Sequence, residues 1–248
     1  ALAMSISEID ALTGDPEGGE IVRDSSGNPI GLFRETASGL LSAARQGAIS
    51  PDPRRVALLA QAEAFSKGIT SFHDAGAGWG TVDLWKDMVD DGSLKIRIYS
   101  MIRANPESLA ENLGRYRMVG YGDSRLTVRA IKVSIDGALG SHGAWLLEPY
   151  QDLPSSAGFN TTPLMDVKET ARLAMKYEYQ FNVHAIGDRG NREALDLFEE
   201  AYSSAGPGDY RWRIEHAQHL NSDDIPRFAQ IGVIASVQGV HATSDGPW

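Results

Sequence analysis

Ile131-Lys132-Val133-Ser134-Ile135-Asp136-Gly137, Phe181-Asn182-Val183-His184-Ala185-Ile186-Gly187-Asp188 and Arg213-Ile214-Glu215-His216-Ala217-Gln218 decide how this chain is read. Each is an apolar run of strand length with a polar side chain of metal-ligand type at its C-terminal end. Further strand-like runs lie at Ile69–His73, Ile96–Ile102 and Val233–Val237, and the three quoted segments extend to Val128–Ile135, Tyr179–His184 and Trp212–His216. Amphipathic helical patterns fall between most of them, at about Val82–Val89, Pro106–Tyr116, Asp166–Lys176, Asn191–Tyr202 and Ser222–Gln230. Strand and helix alternating at this spacing imply parallel strands in βα units. Such a series fits either an open doubly wound sheet or most of a (β/α)8 barrel, and periodicity does not separate the two.

Residues 1–52 depart from the pattern and read as an insertion or sub-domain, leaving 53–248 as the α/β catalytic domain. Glu20 to Arg34 forms a hairpin pattern with its turn at Asp24-Ser25-Ser26-Gly27-Asn28-Pro29. Helices are expected over Thr36–Ala48 and Pro53–Lys67, the second with Pro near its start and Gly68 just past its end. From Gly137 to Pro163 no periodic pattern occurs. A connection of that length inside a compact domain is usually functional or mobile, and since it follows a candidate ligand strand a lid or substrate-binding loop is expected there.

Composition narrows the partners. The 248 residues carry a formal charge of −10, with scattered basic residues, which argues against a nucleic-acid partner. No run of apolar residues is long enough to span a membrane, so no membrane partner is expected. The absence of Cys removes disulfides, thiolate metal sites and a Cys nucleophile. The chain opens at Ala1 without a signal-peptide pattern and stops directly after a functional-looking stretch, so it reads as an internal piece of a longer, cytoplasmic protein.

The candidate chemistry sits at strand ends. Lys132, Ser134 and Asp136 share one face of a strand, and Ile131, Val133 and Ile135 the other. A buried Lys must be neutralised, paired or modified, and a Lys132–Asp136 pair is the plain structural alternative. His184 and His216 each suit a divalent metal as a neutral imidazole, but a lone His at such a position reads first as a hydrogen-bonded core His. Two His on successive parallel strands fall at one end of the sheet, where active sites of parallel α/β folds lie. That coincidence favours ligands. His73 and Asp74 at another strand end, and His241 and Asp245 after the last strand, are candidates for substrate contact. An N-cap with a surface His, or Ser244 and Asp245 capping a following helix, are the structural alternatives. His142 and His219 read as loop or supporting residues. No nucleophile elbow, Walker-type loop or Gly-x-Gly-x-x-Gly after a strand occurs.

These segments together resemble the amidohydrolase superfamily, in its YtcJ-like branch, which includes N-substituted formamide deformylase-like enzymes. The resemblance is carried by Ile131 to Ser141, Leu147-Glu148-Pro149-Tyr150, His184 to Arg189, Arg213 to Gln218, and His241 to Asp245 with Pro247-Trp248. Gly18 to Asp24 and Arg34-Glu35-Thr36-Ala37 also match. It implies a distorted TIM-like (β/α)8 barrel, of which this chain would hold about strands two to seven. It also implies a divalent metal cofactor, zinc being the expected ion, one or two per site. Lys132 takes the fourth-strand ligand role, often as a carboxylated Lys, His184 the fifth-strand role and His216 the sixth. Asp136 would contact substrate. The implied activity is hydrolysis of a non-peptide C–N bond, of amide or formamide type, on a small molecule. The sequence lacks the family's first-strand His-x-His and has no strand after Trp248 for the eighth-strand Asp, so the chain by itself is expected to be inactive.

Two other readings are carried forward. A barrel-derived binding or scaffold domain would use its His and Lys structurally and would show a Lys132–Asp136 or Lys132–Glu215 ion pair. A metal-free enzyme would use Lys132 as a Schiff-base nucleophile, but nothing in it needs the two His. An incomplete barrel would expose two strand edges and favour a homodimer. Trp79, Trp145, Tyr150 and Trp248 suggest an aromatic or apolar substrate group.

Overall fold

The alternating runs form a curled parallel sheet. The computed structural model describes residues 2–46 and 51–245. A short helix α1 (Leu2–Ile6) precedes an antiparallel hairpin of β1 (Gly19–Arg23) and β2 (Pro29–Glu35). A 3-10 turn (Thr36–Leu41) leads into α2 (Ser42–Gln46) and, further on, α3 (Pro53–Ser66). There follow β3 (Ser71–Ala77), α4 (Trp79–Asp90), β4 (Arg97–Ile102), α5 (Pro106–Tyr116), β5 (Met118–Gly120) and the turn-like α6 (Tyr121–Ser124). Next come β6 (Leu126–Ser134), α7 (Leu164–Lys176), β7 (Gln180–Ala185), α8 (Asp188–Ala205), β8 (Arg213–His216), α9 (Ile225–Ile231), β9 (Ile234–Ser236) and α10 (His241–Ser244).

Six strands pair in parallel in the order β3-β4-β6-β7-β8-β9, which is chain order, and β5 adds to β6 antiparallel. Sequential order with helical crossovers is barrel topology. A doubly wound sheet would reverse its strand order at a switch point, and this one does not. The half-barrel architecture expected from the sequence is therefore the observed one.

Local signals set the elements. Asp52 caps α3 by accepting from Arg54 N, with Pro53 at its first turn, and Asn105 caps α5 by accepting from Ser108 N ahead of Pro106. The core lies between the sheet and its helices. Phe181 of β7 and Phe198 of α8 pack at 5.8 Å, and Trp212 joins them at 5.5 and 5.0 Å. All three are buried, each contributing roughly 1.5–3 kcal/mol by leaving water. Their rings pack at β7 and β8, the strands that carry His184 and His216.

The helix expected over Thr36–Ala48 is divided into a 3-10 turn and α2, with Ala48 outside the described residues. β5 and α6 were not expected from periodicity, because a three-residue strand is too short to show any. The connection after Gly137 carries only a 3-10 turn at Leu139–Ser141 before α7. The hairpin docks on its far end, where a Cβ at Gly18 would strike the Asn160 carbonyl. Among the described residues no helix is long and apolar enough to cross a membrane.

Candidate metal centre

Register brings the predicted residues together. Ser134 of β6 pairs with His184 of β7, and His184 with Glu215 of β8. Strict alternation would place His216 on the face of Ile214. His216 and Ala217 instead have φ of 78° and 43°, left-handed values that non-Gly residues seldom adopt. The break turns the chain at the strand end, and the His216 ring lies edge-on to His184 with centroids 4.5 Å apart.

Each ring has one engaged nitrogen. His216 Nδ1 lies 2.7 Å from Gln238 Oε1. His184 Nε2 lies 3.4 Å from both the Gly137 carbonyl and Asp136 Oδ1. These acceptors favour the Nδ1–H tautomer of His216 and the Nε2–H tautomer of His184, leaving one lone pair on each ring. Burial first, and then the neighbouring His184, hold His216 below the usual imidazole range, while its bond to Gln238 works the other way. A neutral imidazole is the form that binds a metal.

Lys132 is 5% exposed, and its Nζ donates to the Val133 carbonyl at 3.1 Å. Burial, followed by the nearby Arg103 guanidinium, pushes its ammonium down to about 7, against opposing pulls from Glu215 and Asp136. Among the described residues no carboxylate lies within ion-pair distance of it. Glu215 is engaged by Arg213 at 2.9 Å. Neither ion pair required by the scaffold reading is formed.

Asp136 has a fully covered side chain. Its carboxylate accepts from Trp145 N at 3.0 Å, Ile186 N at 3.0 Å and Gly187 N at 2.7 Å. It ties the connection after β6 to the start of α8 and stands 3.4 Å from His184, so its surroundings are those of a supporting group. Asp74 accepts from Trp85 Nε1 of α4 at 3.0 Å, toward the helix layer. His73 stacks on Tyr99 at 4.9 Å and approaches Arg213 at 3.4 Å. In register it is level with Tyr99 and Thr127, well before Ser134, so the structure does not bring it to the His pair. His241 is brought close, 6.0 Å ring to ring from His216, and its Nδ1 meets Asp245 at 2.8 Å. Gln218 also bonds Asp245.

The connection after Gly137 walls a cavity of about 490 Å³ together with Asp188 and His219. His142 and Asp152 pair across it at 2.8 Å, and Tyr150 packs edge-on to His142 at 4.8 Å. Trp145 is covered by the Arg189 guanidinium at 4.6 Å, and Trp79 hydrogen-bonds Ser108. Trp248 lies outside the described residues. Gln238 and Arg103 escaped the sequence reading, since neither belongs to a motif and only the fold places them beside His216 and Lys132.

The profile of the amidohydrolase family matches residues 2–248. The chain belongs to the amidohydrolase family. It is 36% identical to the Arabidopsis thaliana protein LONG AFTER FAR-RED 3 over 99% of this chain and 44% of that one. YtcJ of Bacillus subtilis (strain 168) is 29% identical, covering 99% of this chain and 46% of YtcJ. N-substituted formamide deformylase of Arthrobacter pascens is 25% identical over 93% of this chain and 44% of its own length. The chain spans less than half the length of these curated relatives. Among solved structures, an uncharacterized metal-dependent hydrolase from Pyrococcus furiosus superposes with a TM-score of 0.72 at 26% identity, over 99% of this chain and 48% of that one. The YtcJ-like resemblance and the barrel fold are thereby established.

Whether the residues fit a metal turns on their donor chemistry. Among the described residues no three His, Cys, Asp or Glu side chains converge on one point. The available set is His184 and His216, with one lone pair each, and Lys132. An ammonium cannot ligate, but a Lys whose ammonium is pushed down to about 7 is largely an amine at mildly alkaline pH. Lys132 could join the two imidazoles as a ligand only in a form that carries a carboxylate.

Proposed function

We propose that this amidohydrolase chain carries part of the active site of a metal-dependent hydrolase acting on non-peptide C–N bonds of small molecules, of amide or formamide type. The observation that carries the reading is Lys132. It is buried, without a carboxylate in ion-pair reach among the described residues, on the strand beside the one that carries His184, whose ring meets that of His216 at 4.5 Å. A structural Lys in that position would be an uncompensated cost.

His184, His216 and carboxylated Lys132 would hold one or two divalent ions, zinc being the expected one. The chemistry such an ion would supply there is Lewis-acid polarisation of the scissile carbonyl and activation of water. The chain's own residues supply placement. Gln238 orients His216, and the Gly137 carbonyl and Asp136 orient His184. The neutral Lys132 amine takes up CO2 with release of one proton. The cavity under the connection after Gly137 is the proposed seat of the substrate's variable group, and His241 and Asp245, beside His216, are proposed substrate contacts. The relative named as a formamide deformylase supports a C–N bond as the target. The resemblance puts the remaining ligands and the eighth-strand general base in segments that this sequence does not contain, so the proposed activity is that of a protein of the relatives' length.

Zinc titration by calorimetry in bicarbonate buffer tests the ligand set. Saturable binding, with intact mass raised by one CO2 and both lost in Lys132→Met, is the expected result. Binding unchanged in Lys132→Met would remove Lys132 from the set.

A further inference from the structure

Glu35, at the end of β2, lies 106 positions before Ser141, yet Ser141 Oγ donates to its Oε1 at 2.6 Å. Its backbone is left-handed, with φ 45° and ψ −120°, a conformation that costs a side-chain-bearing residue energy and persists only where its surroundings impose it. Its carboxylate occupies the space where a Cβ on Gly137 or Gly143 would sit, so alanine at either position would have to push it out.

Those two glycines form one turn. Gly137 N donates to Gly143 O at 3.0 Å, and Gly143 N to Ala138 O at 2.9 Å. The carbonyl of that same Gly137 faces His184 Nε2 at 3.4 Å. A carboxylate from the N-terminal hairpin thus braces the peptide that faces one ring nitrogen of a candidate ligand. The Arg34–Glu20 pair at 2.6 Å already ties the two hairpin strands together, so Glu35 is not needed for that.

We propose that Glu35 is a positioning residue for His184. By bracing the Gly137–Gly143 turn it keeps the Gly137 carbonyl on Nε2, where that carbonyl and Asp136 Oδ1, each 3.4 Å away, together hold the proton and leave Nδ1 free to ligate. The purpose of this arrangement rests on the metal-binding reading above, whereas the tautomer is a property of the metal-free chain.

The test is imidazole-15N NMR of the metal-free 248-residue chain at a pH where the rings are neutral, with the His184 signals assigned by their loss in His184→Ala. It is paired with zinc titration. The expected result is the Nε2–H tautomer in the native chain. A mixture of tautomers and a zinc Kd raised about tenfold are expected in Glu35→Ala. Ser141→Ala, which removes one hydroxyl, gives a smaller change in the same direction and serves if Glu35→Ala does not fold. Glu20→Gln, which loosens the hairpin without touching the turn, is expected to change neither readout. An unmoved His184 tautomer in folded Glu35→Ala overturns the proposal, as does an equal shift in Glu20→Gln. Zinc binding with an unmoved tautomer sinks the positioning role alone. A shifted tautomer without zinc binding by the native chain upholds the positioning role and sinks the metal reading.

Discussion

Replacing Lys132 with Met in the metal-free chain is expected to stabilise it, and most strongly at low pH. The side chain is 5% exposed, and burial together with Arg103 lowers its ammonium from 10.5 to about 7. The unfolded chain keeps that proton up to 10.5, while the folded chain releases it near 7. Stability therefore rises with pH between about 7 and 10.5 and is flat in this respect below 7. At about 1.4 kcal/mol per unit, the charged form costs the fold on the order of 5 kcal/mol below pH 7. Met keeps the stem's volume without the charge, so the variant should gain a few kcal/mol at pH 6, with the gain vanishing toward pH 10. Urea unfolding at several pH values, with the slope m compared between the two proteins, reads this directly. A variant less stable than the native chain at pH 6, or a difference that does not change with pH, would refute the buried, uncompensated Lys132 on which the site rests.

Other consequences follow from the same geometry. Asp136→Ala leaves the amides of Trp145, Ile186 and Gly187 without their acceptor, and should cost about 3–5 kcal/mol in chemical denaturation and speed proteolysis between Gly137 and Pro163. Gly187→Ala would drive a Cβ into the Trp145 backbone, so the same connection should be displaced, with faster amide exchange there than in the native chain. β3 and β9 end the parallel sheet, and Phe72 and Ile234 on them are 52% and 42% exposed. Self-association is expected in sedimentation analysis, and a sharply monomeric chain at high concentration would count against free edges.

Much of the fold was legible because parallel strands under helices are apolar runs at regular spacing. α5 coincides with the expected Pro106–Tyr116, since Asn105 and Pro106 punctuate its start. Strand order was not legible from periodicity, which fits a doubly wound sheet as well; the resemblance implied the sequential order and the observed pairing shows it. The His184–His216 pair was legible in residue type and position, although the left-handed turn at His216 that completes it was not. Asp136 and Asp74 show the limit of alternation. Alternation assigns a face, but the amides near α8 and the indole of Trp85 decide what each carboxylate does. Glu35 and Gln238 depend on contacts across long sequence separations, which no local pattern records.

The most direct test of the account is metal content by plasma mass spectrometry on chain purified without a metal-affinity tag, in parallel with His184→Ala and His216→Ala. About one or two zinc-like ions per chain, lost in both variants while their folded content is unchanged, is the expected result. No metal in a protein extended to the relatives' length, or metal retained in both variants, would contradict the assignment of these two histidines as ligands.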